Sequence, residues 1–161
     1  MAIKSISSLG VKPPEKPVNY TLDGNLYDAR VFPASICKLE PDFDQLIIIL
    51  TEAADEMSFP VLWEELREQN ISVKEKVQTV CIKEEGGEDA LWHIFDQVTK
   101  RGKGELISDG DELIFDITHG LRFHPFLVFL IVAYLRATRP NVRIKEVYYG
   151  GLELDESNPP I

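Results

Sequence analysis

At residues 112–125 the chain reads ELIFDITHGLRFHP. A short apolar run ends at Asp116, a turn containing Gly120 follows, and Pro125 opens an apolar segment that extends to about Arg136. Continuous apolar runs are typical of strands that are covered on both faces in a parallel sheet, and proline is favoured in the first turn of a helix. The stretch therefore predicts a buried parallel strand that leads through a tight turn into a helix.

The rest of the chain repeats this alternation of strand and helix. Further strands are expected at residues 3–8, 45–50, 77–82 and 143–148, and helices are expected after Pro33, at 60–69 with Ser58 as N-cap, and at 88–99. Asp23-Gly24, between residues 19–22 and 26–31, indicates a β-hairpin. Alternating strands and helices form βαβ units. We therefore expect an α/β fold, a Rossmann-like three-layer sandwich whose mostly parallel sheet carries an inserted β-hairpin.

Length and charge limit the domain count and the partners. The 161 residues fit one domain, expected over residues 1–154, with 155–161 as a tail or the start of a linker. A net charge of −10 argues against broad binding to DNA or long RNA. Residues 117–150, however, hold five Lys or Arg and one Glu. This basic segment could hold one compact anionic ligand.

Several classes of site and location are not supported by the sequence. Cys37 and Cys81 belong to no CxxC or Cys/His cluster, which favours a reducing compartment. The N-terminus is too short and polar for a signal peptide, and the apolar run at 126–135 is shorter than the ~20 residues of a membrane span. GxGxxG, P-loop and GxSxG motifs are absent. We expect a cytoplasmic protein without membrane segment, metal or cofactor.

The candidate site lies where strands end. Ligands of open parallel sheets bind at the carboxyl ends of the strands, where strand order reverses. The segments at those ends are residues 7–10, 51–52, 84–87, 116–122 and 149–151.

The segment 116–122 is the most informative of these. Unpaired N–H groups at a helix start attract anions, and Arg122 could grip a phosphate. Thr118 and His119 offer hydrogen bonds, and Gly120 allows close approach. Asp116 can equally be a turn cap, His119 can equally be a packed turn residue, and His124 is expected to be a neighbour of the helix N-cap rather than a participant.

Several segments together resemble a known family. DITHGLR at 116–122 follows an apolar strand, and an apolar helix and IKEVYYGG at 144–151 come after it. Three further segments contribute to the resemblance: SSLG at 7–10, the hairpin YTLDGNLYDARVFP at 20–33 and LIIILTEAA at 46–54. Over essentially its whole length, the chain resembles CARF domains, the CRISPR-associated Rossmann folds of type III systems. The resemblance implies binding of a cyclic oligoadenylate, most often the tetra-adenylate, in a groove across a homodimer.

The resemblance also assigns individual residues. Together with Ser7 and Asp116 at the strand ends, the implied ligand-binding residues are Ser8, Leu9, Gly10, Thr51, Thr118, His119, Gly120, Arg122 and, more weakly, Gly150. CARF domains are usually joined to an effector such as a HEPN ribonuclease, for which 161 residues leave no room. The chain is therefore expected to be either the sensor domain of a longer effector or a ring nuclease that destroys the messenger.

Ring cleavage is chemically accessible without metal, because the ribose 2′-OH can attack the adjacent phosphate when it is held in line. Ser8 (or Ser7), His119 and Arg122 are the expected catalytic residues, with Lys12 adding charge, and the products would be linear adenylates with 2′,3′-cyclic phosphate ends. Two other classes stay open. One is an interaction module with a vestigial cleft, and the other is a metal-dependent hydrolase using Asp116, His119 and His124.

Overall fold

The computed structural model describes residues 1–83, 87–118 and 123–150. The strands in these residues are β1 (Ile3–Ser8), β2 (Val18–Leu22), β3 (Asn25–Ala29), β4 (Gln45–Thr51), β5 (Val77–Ile82), β6 (Glu112–Asp116) and β7 (Arg143–Tyr148). The helices are α1 (Phe32–Leu39), α2 (Glu52–Met57), α3 (Phe59–Glu68), α4 (Val73–Lys76), α5 (Glu88–Thr99) and α6 (His124–Thr138). None of the helices in these ranges is long and apolar enough to cross a bilayer.

The main sheet has the strand order β5-β4-β1-β6-β7, and every neighbouring pair in it is parallel. The chain first builds outward from β1 through β4 to β5, and then crosses back to add β6 and β7 on the other side of β1. Strand order therefore reverses between β1 and β6, which is where a ligand site is expected. The α/β, Rossmann-like fold class is confirmed.

Helices cover both faces of the sheet. Ile47 and Ile49 of β4 pack in one core with α5 and α6. Leu46, Ile48 and Leu50 pack in a second core with α1 and α3. Alternate residues of β4 thus point to opposite buried faces. This explains why the strand reads as an unbroken apolar run and completes the predicted three layers.

The predicted hairpin is present as β2 and β3, which pair only with each other. The ring of Tyr20 packs edge-on against Phe32 at the start of α1, with ring centroids 4.6 Å apart. β3 ends earlier than predicted because the amides of Arg30 and Val31 donate to the carboxylate of Glu65 rather than to a strand. The hairpin is therefore fixed at its base, beside the ends of β6 and β7.

Ser58 is the N-cap residue of α3, as predicted, but its side chain makes no cap bond, and its hydroxyl instead donates to the carbonyl of Val11 over 2.9 Å. The reason is that Ser58 also ends α2, which was not predicted, and has helical backbone angles (φ −103°, ψ −31°). Thr51 ends β4 and also caps α2, because its hydroxyl oxygen accepts a bond from the Ala54 amide over 3.1 Å.

Candidate functional site

The candidate site lies at the carboxyl ends of β1 and β6, where strand order reverses. Ile6 of β1 is opposite Phe115 of β6 in the register, so the next residues along, Ser7 and Asp116, are neighbours. Side chains alternate along a strand, and consecutive residues at this end point to different faces. Ser8 faces α6, whereas Ser7 and Asp116 face the hairpin side. The two faces carry different chemistry.

On the α6 face, Ser8 is bonded to His124, the first residue of α6. Ser8 Oγ and His124 Nδ1 are 2.5 Å apart, and both residues are buried. Burial lowers the pKa of His124 to about 4, so its imidazole is neutral at physiological pH. His124 follows the N-cap residue Phe123, as expected, and its side chain in addition bonds to Ser8, which was not predicted. Pro125, which fixes the helix start, was the available signal, because it places His124 at the first helical position.

On the hairpin face, Asp116 is fully buried. Its Oδ1 accepts a hydrogen bond from the Thr118 amide over 2.8 Å, so the carboxyl does cap the turn, as one of the two readings held. Burial raises the pKa of Asp116 to about 7, and contacts with Thr118 and Ser7 offset this only in part.

Three buried side-chain oxygens on this face of the sheet lack a hydrogen bond among the described residues: those of Ser5 and Ser7 in β1 and Oδ2 of Asp116. The Ser7 hydroxyl is near enough to favour the charged form of Asp116, but its geometry does not make a hydrogen bond. Within the described ranges, both Ser7 Oγ and Asp116 Oδ2 are therefore without a hydrogen-bond partner. Such groups are uncommon in folded proteins and concentrate where chemistry or binding occurs.

The ends of β6 and β7 are joined by Thr118 and Gly150. The Gly150 amide donates to Thr118 Oγ1 over 2.8 Å. A Cβ on Gly150 would lie 2.6 Å from Thr118 Cγ2 and 3.4 Å from Cε1 of Tyr20, so this close approach requires glycine. The Thr118 hydroxyl thus accepts from Gly150 and also lies near the carboxyl of Asp116, where it lowers the pKa of that group. Tyr20 was not among the predicted site residues, and the hairpin signal alone could not have shown where its side chain would pack.

The remaining predicted residues differ in their positions. Leu9 contributes its backbone, because its side chain is in the core and its amide donates to the Ile49 carbonyl over 2.9 Å. Gly10 is exposed, with open space where a Cβ would be. Thr51 is buried, and its hydroxyl caps α2. Lys12 is exposed.

The predictions for His119, Gly120 and Arg122, and the tail at 155–161, fall outside the described residues. In the ranges that are described, no three His, Cys, Asp or Glu residues are grouped closely enough to hold a metal ion. The side chain of His124, one member of the alternative metal triad, is instead engaged with Ser8.

An apolar surface begins beside the site. The outward face of α6 exposes Phe126 (59%), Phe129 (67%) and Tyr134 (39%), and Trp92 of α5 is 48% exposed next to it. A groove of about 490 Å³ runs between the two helices, and it is lined by Gly87, Glu88, Leu91, Trp92, Phe123, Phe126 and Leu130. Aromatic surface of this extent is typical of a protein–protein contact. We refer to it below as the α5–α6 face.

Comparison with known proteins relates this chain to CRISPR-associated proteins. The family model described as "CRISPR system endoribonuclease Csx1, CARF domain" matches residues 5–151. Over 66 residues, 41% of the chain, the sequence is 33% identical to the CRISPR-associated protein MJ1674 of Methanocaldococcus jannaschii. The matched segment is 10% of that protein's length, so the chain spans only a small part of this relative.

Proposed function

We propose that this chain, which belongs to the family of the Csx1 CARF domain and is therefore a CRISPR-associated sensor domain, senses a cyclic oligoadenylate, with the tetra-adenylate as the expected ring. The observation that supports this proposal is that the predicted residues Ser8 and Thr118 lie at the ends of the neighbouring strands β1 and β6, between which strand order reverses. Thr118 in turn bonds to the Gly150 amide after β7. The two free cysteines suit a reducing cytoplasm as its location.

A ring of nucleotides needs donors for its phosphates and room for its bases and riboses. Thr118 places a hydroxyl at this edge, next to the Gly150 amide that it binds. The amide groups that open a helix attract anions, and α6 begins at this edge. The open space at Gly10 leaves room beside the end of β1. From the sequence, His119 and Arg122 would add contacts to phosphate or ribose.

We propose that two copies of the chain form the complete site. A ring of four identical units can share its two-fold axis with an isologous dimer, so that each copy holds one half of the ligand. The α5–α6 face supports this arrangement, because its exposed aromatic side chains start one residue away from Pro125, beside the Ser8–His124 pair. Burying that face would remove the surface of Trp92, Phe126 and Phe129 from water, and Glu88 would remain bonded to Trp92 at its edge.

Cleavage of the bound ring is the second candidate function, with Ser8, His119 and Arg122 as the proposed catalytic residues. The feature that favours it is the buried carboxyl of Asp116 at the end of β6, whose pKa is raised to about 7 by burial, since perturbed carboxyls concentrate at functional sites. Ser8 is a weaker candidate than it was from sequence, since its hydroxyl is buried against a neutral imidazole. We therefore rank sensing above cleavage.

One experiment separates these functions. The purified protein is incubated with cyclic tetra-adenylate in EDTA, and protein-bound and free nucleotides are resolved by chromatography. An intact ring that co-elutes with the protein indicates a sensor, and linear products with 2′,3′-cyclic phosphate ends indicate a metal-independent ring nuclease. Failure to bind any ring size would refute the proposal.

A matched pair of variants tests the site itself. Thr118→Val removes the hydroxyl at the site, and Thr138→Val removes one at the far end of α6, where it bonds to the Tyr134 carbonyl. The first should weaken ring binding, and the second should not. Equal affinities for the two variants would remove Thr118 from the site.

A further inference from the structure

At the candidate site a side-chain hydrogen bond joins β1 to α6. Ser8 ends β1, His124 begins α6, and 116 positions separate them in sequence. Ser8 Oγ lies 2.5 Å from Nδ1 of the ring and 3.5 Å from Nε2, and each residue is 3% exposed. Ile6 of β1 also shares an apolar core with Leu127 and Ile131 of α6, and the hydrogen bond adds a directional contact between the end of β1 and the helix start.

The chemistry of the pair is positional rather than acid–base. The imidazole is buried and uncharged at pH 7, so it is a poor proton acceptor for a reacting hydroxyl. A neutral imidazole still makes a directional hydrogen bond through Nδ1. Both elements that it joins carry groups assigned to the ligand, namely the backbone after Ser8 and the amide groups at the start of α6.

We infer that His124 is a positioning residue for ligand binding: through Nδ1 it holds the Ser8 hydroxyl and so fixes the end of β1 against the start of α6. This inference rests on the proposed function, because the ligand it concerns is the cyclic oligoadenylate. It predicts that the geometry of the bond, and not the basicity of the imidazole, determines affinity for the ring.

The test compares amide and apolar replacements of His124. In His124→Asn the side-chain amide reaches the position of Nδ1, and in His124→Gln it extends toward that of Nε2. We expect His124→Asn to stay within about threefold of wild-type affinity for cyclic tetra-adenylate, and His124→Gln and His124→Leu to bind about tenfold more weakly or worse. His93→Asn, an exposed histidine on α5, is the matched control.

A thermodynamic cycle isolates the role of Ser8. In a Ser8→Ala background, His124→Leu should cause no further loss of affinity, because the bond is already absent. The double variant also removes both buried polar groups, so it serves as the folded comparison if His124→Leu alone does not fold. Thermal unfolding of each variant separates loss of fold from loss of affinity.

The outcomes are distinct. The inference would be overturned if folded His124→Leu bound the ring with wild-type affinity. It would also be overturned if the losses of affinity caused by Ser8→Ala and His124→Leu were additive in the double variant. Neither result would contradict ring binding by the wild-type protein. Weak binding by His124→Asn with full binding by His124→Gln would likewise overturn the inference. Wild-type protein that binds no ring would refute the proposed function itself.

Discussion

Replacing Asp116 with asparagine should stabilise the protein at alkaline pH. The carboxyl is fully buried, and burial raises its pKa from 3.8 to about 7. Asparagine has nearly the same shape, keeps an oxygen to accept the Thr118 amide, and brings an NH₂ group that can donate to the unpartnered Ser7 hydroxyl. The variant therefore removes a buried negative charge without removing the turn cap.

The sign and size of the effect follow from proton linkage. Between pH 4 and 7 the folded state holds the Asp116 proton more tightly than the unfolded state, so stability falls as pH rises through this window. At about 1.4 kcal/mol per pKa unit, the full cost above pH 7 is at most about 4 kcal/mol. Between pH 5 and pH 8 the free energy of unfolding of Asp116→Asn should rise relative to wild type by roughly 2–3 kcal/mol.

His124 contributes with the opposite sign. Its pKa is lowered from 6.5 to about 4 in the folded state, so the stability it supports is lost as pH falls from about 6.5 toward 4. Because wild type and Asp116→Asn share this histidine, its contribution cancels when the two are compared. The difference between them, rather than either profile alone, reports on Asp116.

The free energies of unfolding are obtained from urea unfolding at each pH unit from 5 to 9, at a fixed protein concentration. Asp96→Asn, which changes an exposed carboxyl on α5, is the control and should follow wild type. Parallel pH profiles for wild type and Asp116→Asn would refute the reasoning. Destabilisation of Asp116→Asn at pH 8 would refute it as well.

Three further predictions concern binding and assembly. Gly150→Ala should displace Thr118, weakening ring affinity about tenfold and lowering stability by about 1–3 kcal/mol, whereas Gly10→Ala should not lower stability; equal melting temperatures would contradict this. Phe129→Glu should convert a dimer into a monomer in sedimentation experiments, and an unchanged mass would exclude the α5–α6 face as the interface. Arg122→Ala should weaken ring binding with the fold intact, and an unchanged affinity in a titration would remove Arg122 from the site.

Regular elements with strong apolar patterns could be predicted from the sequence. The predicted bounds of β1, β5, α5 and β7 agree with the structure, because each is an apolar or periodic run between clear turn signals. α2 was missed because its sequence EAADEM buries only Ala54 and so has almost no periodicity. α4 was missed because four residues are too few to show a period. Local pattern is informative only where burial imposes it.

In the candidate site, too, some features could be predicted from the sequence and others could not. Ser8, Asp116 and Thr118 could be predicted because each stands at or just after a strand end, a property that the sequence displays directly. The His124–Ser8 bond could not, since it joins residues 116 positions apart and depends on how α6 packs over β1. The approach of Tyr20 to Gly150 depends in turn on where the hairpin docks.

The chemistry of the described groups constrains how an acidic protein could hold an anion. Ser8, Thr118 and His124 are uncharged hydrogen-bonding groups, and Asp116 is partly protonated near neutral pH. Neutral donors recognise a phosphate by its position, whereas long polyanions are attracted mainly by surface charge. A net charge of −10 therefore disfavours an extended nucleic acid, whereas the proposed ligand, a small ring, would depend on the placement of neutral groups such as Thr118. The raised pKa of Asp116 fits this proposal, because a protonated carboxyl adds no negative charge to the edge where the ring is proposed to bind.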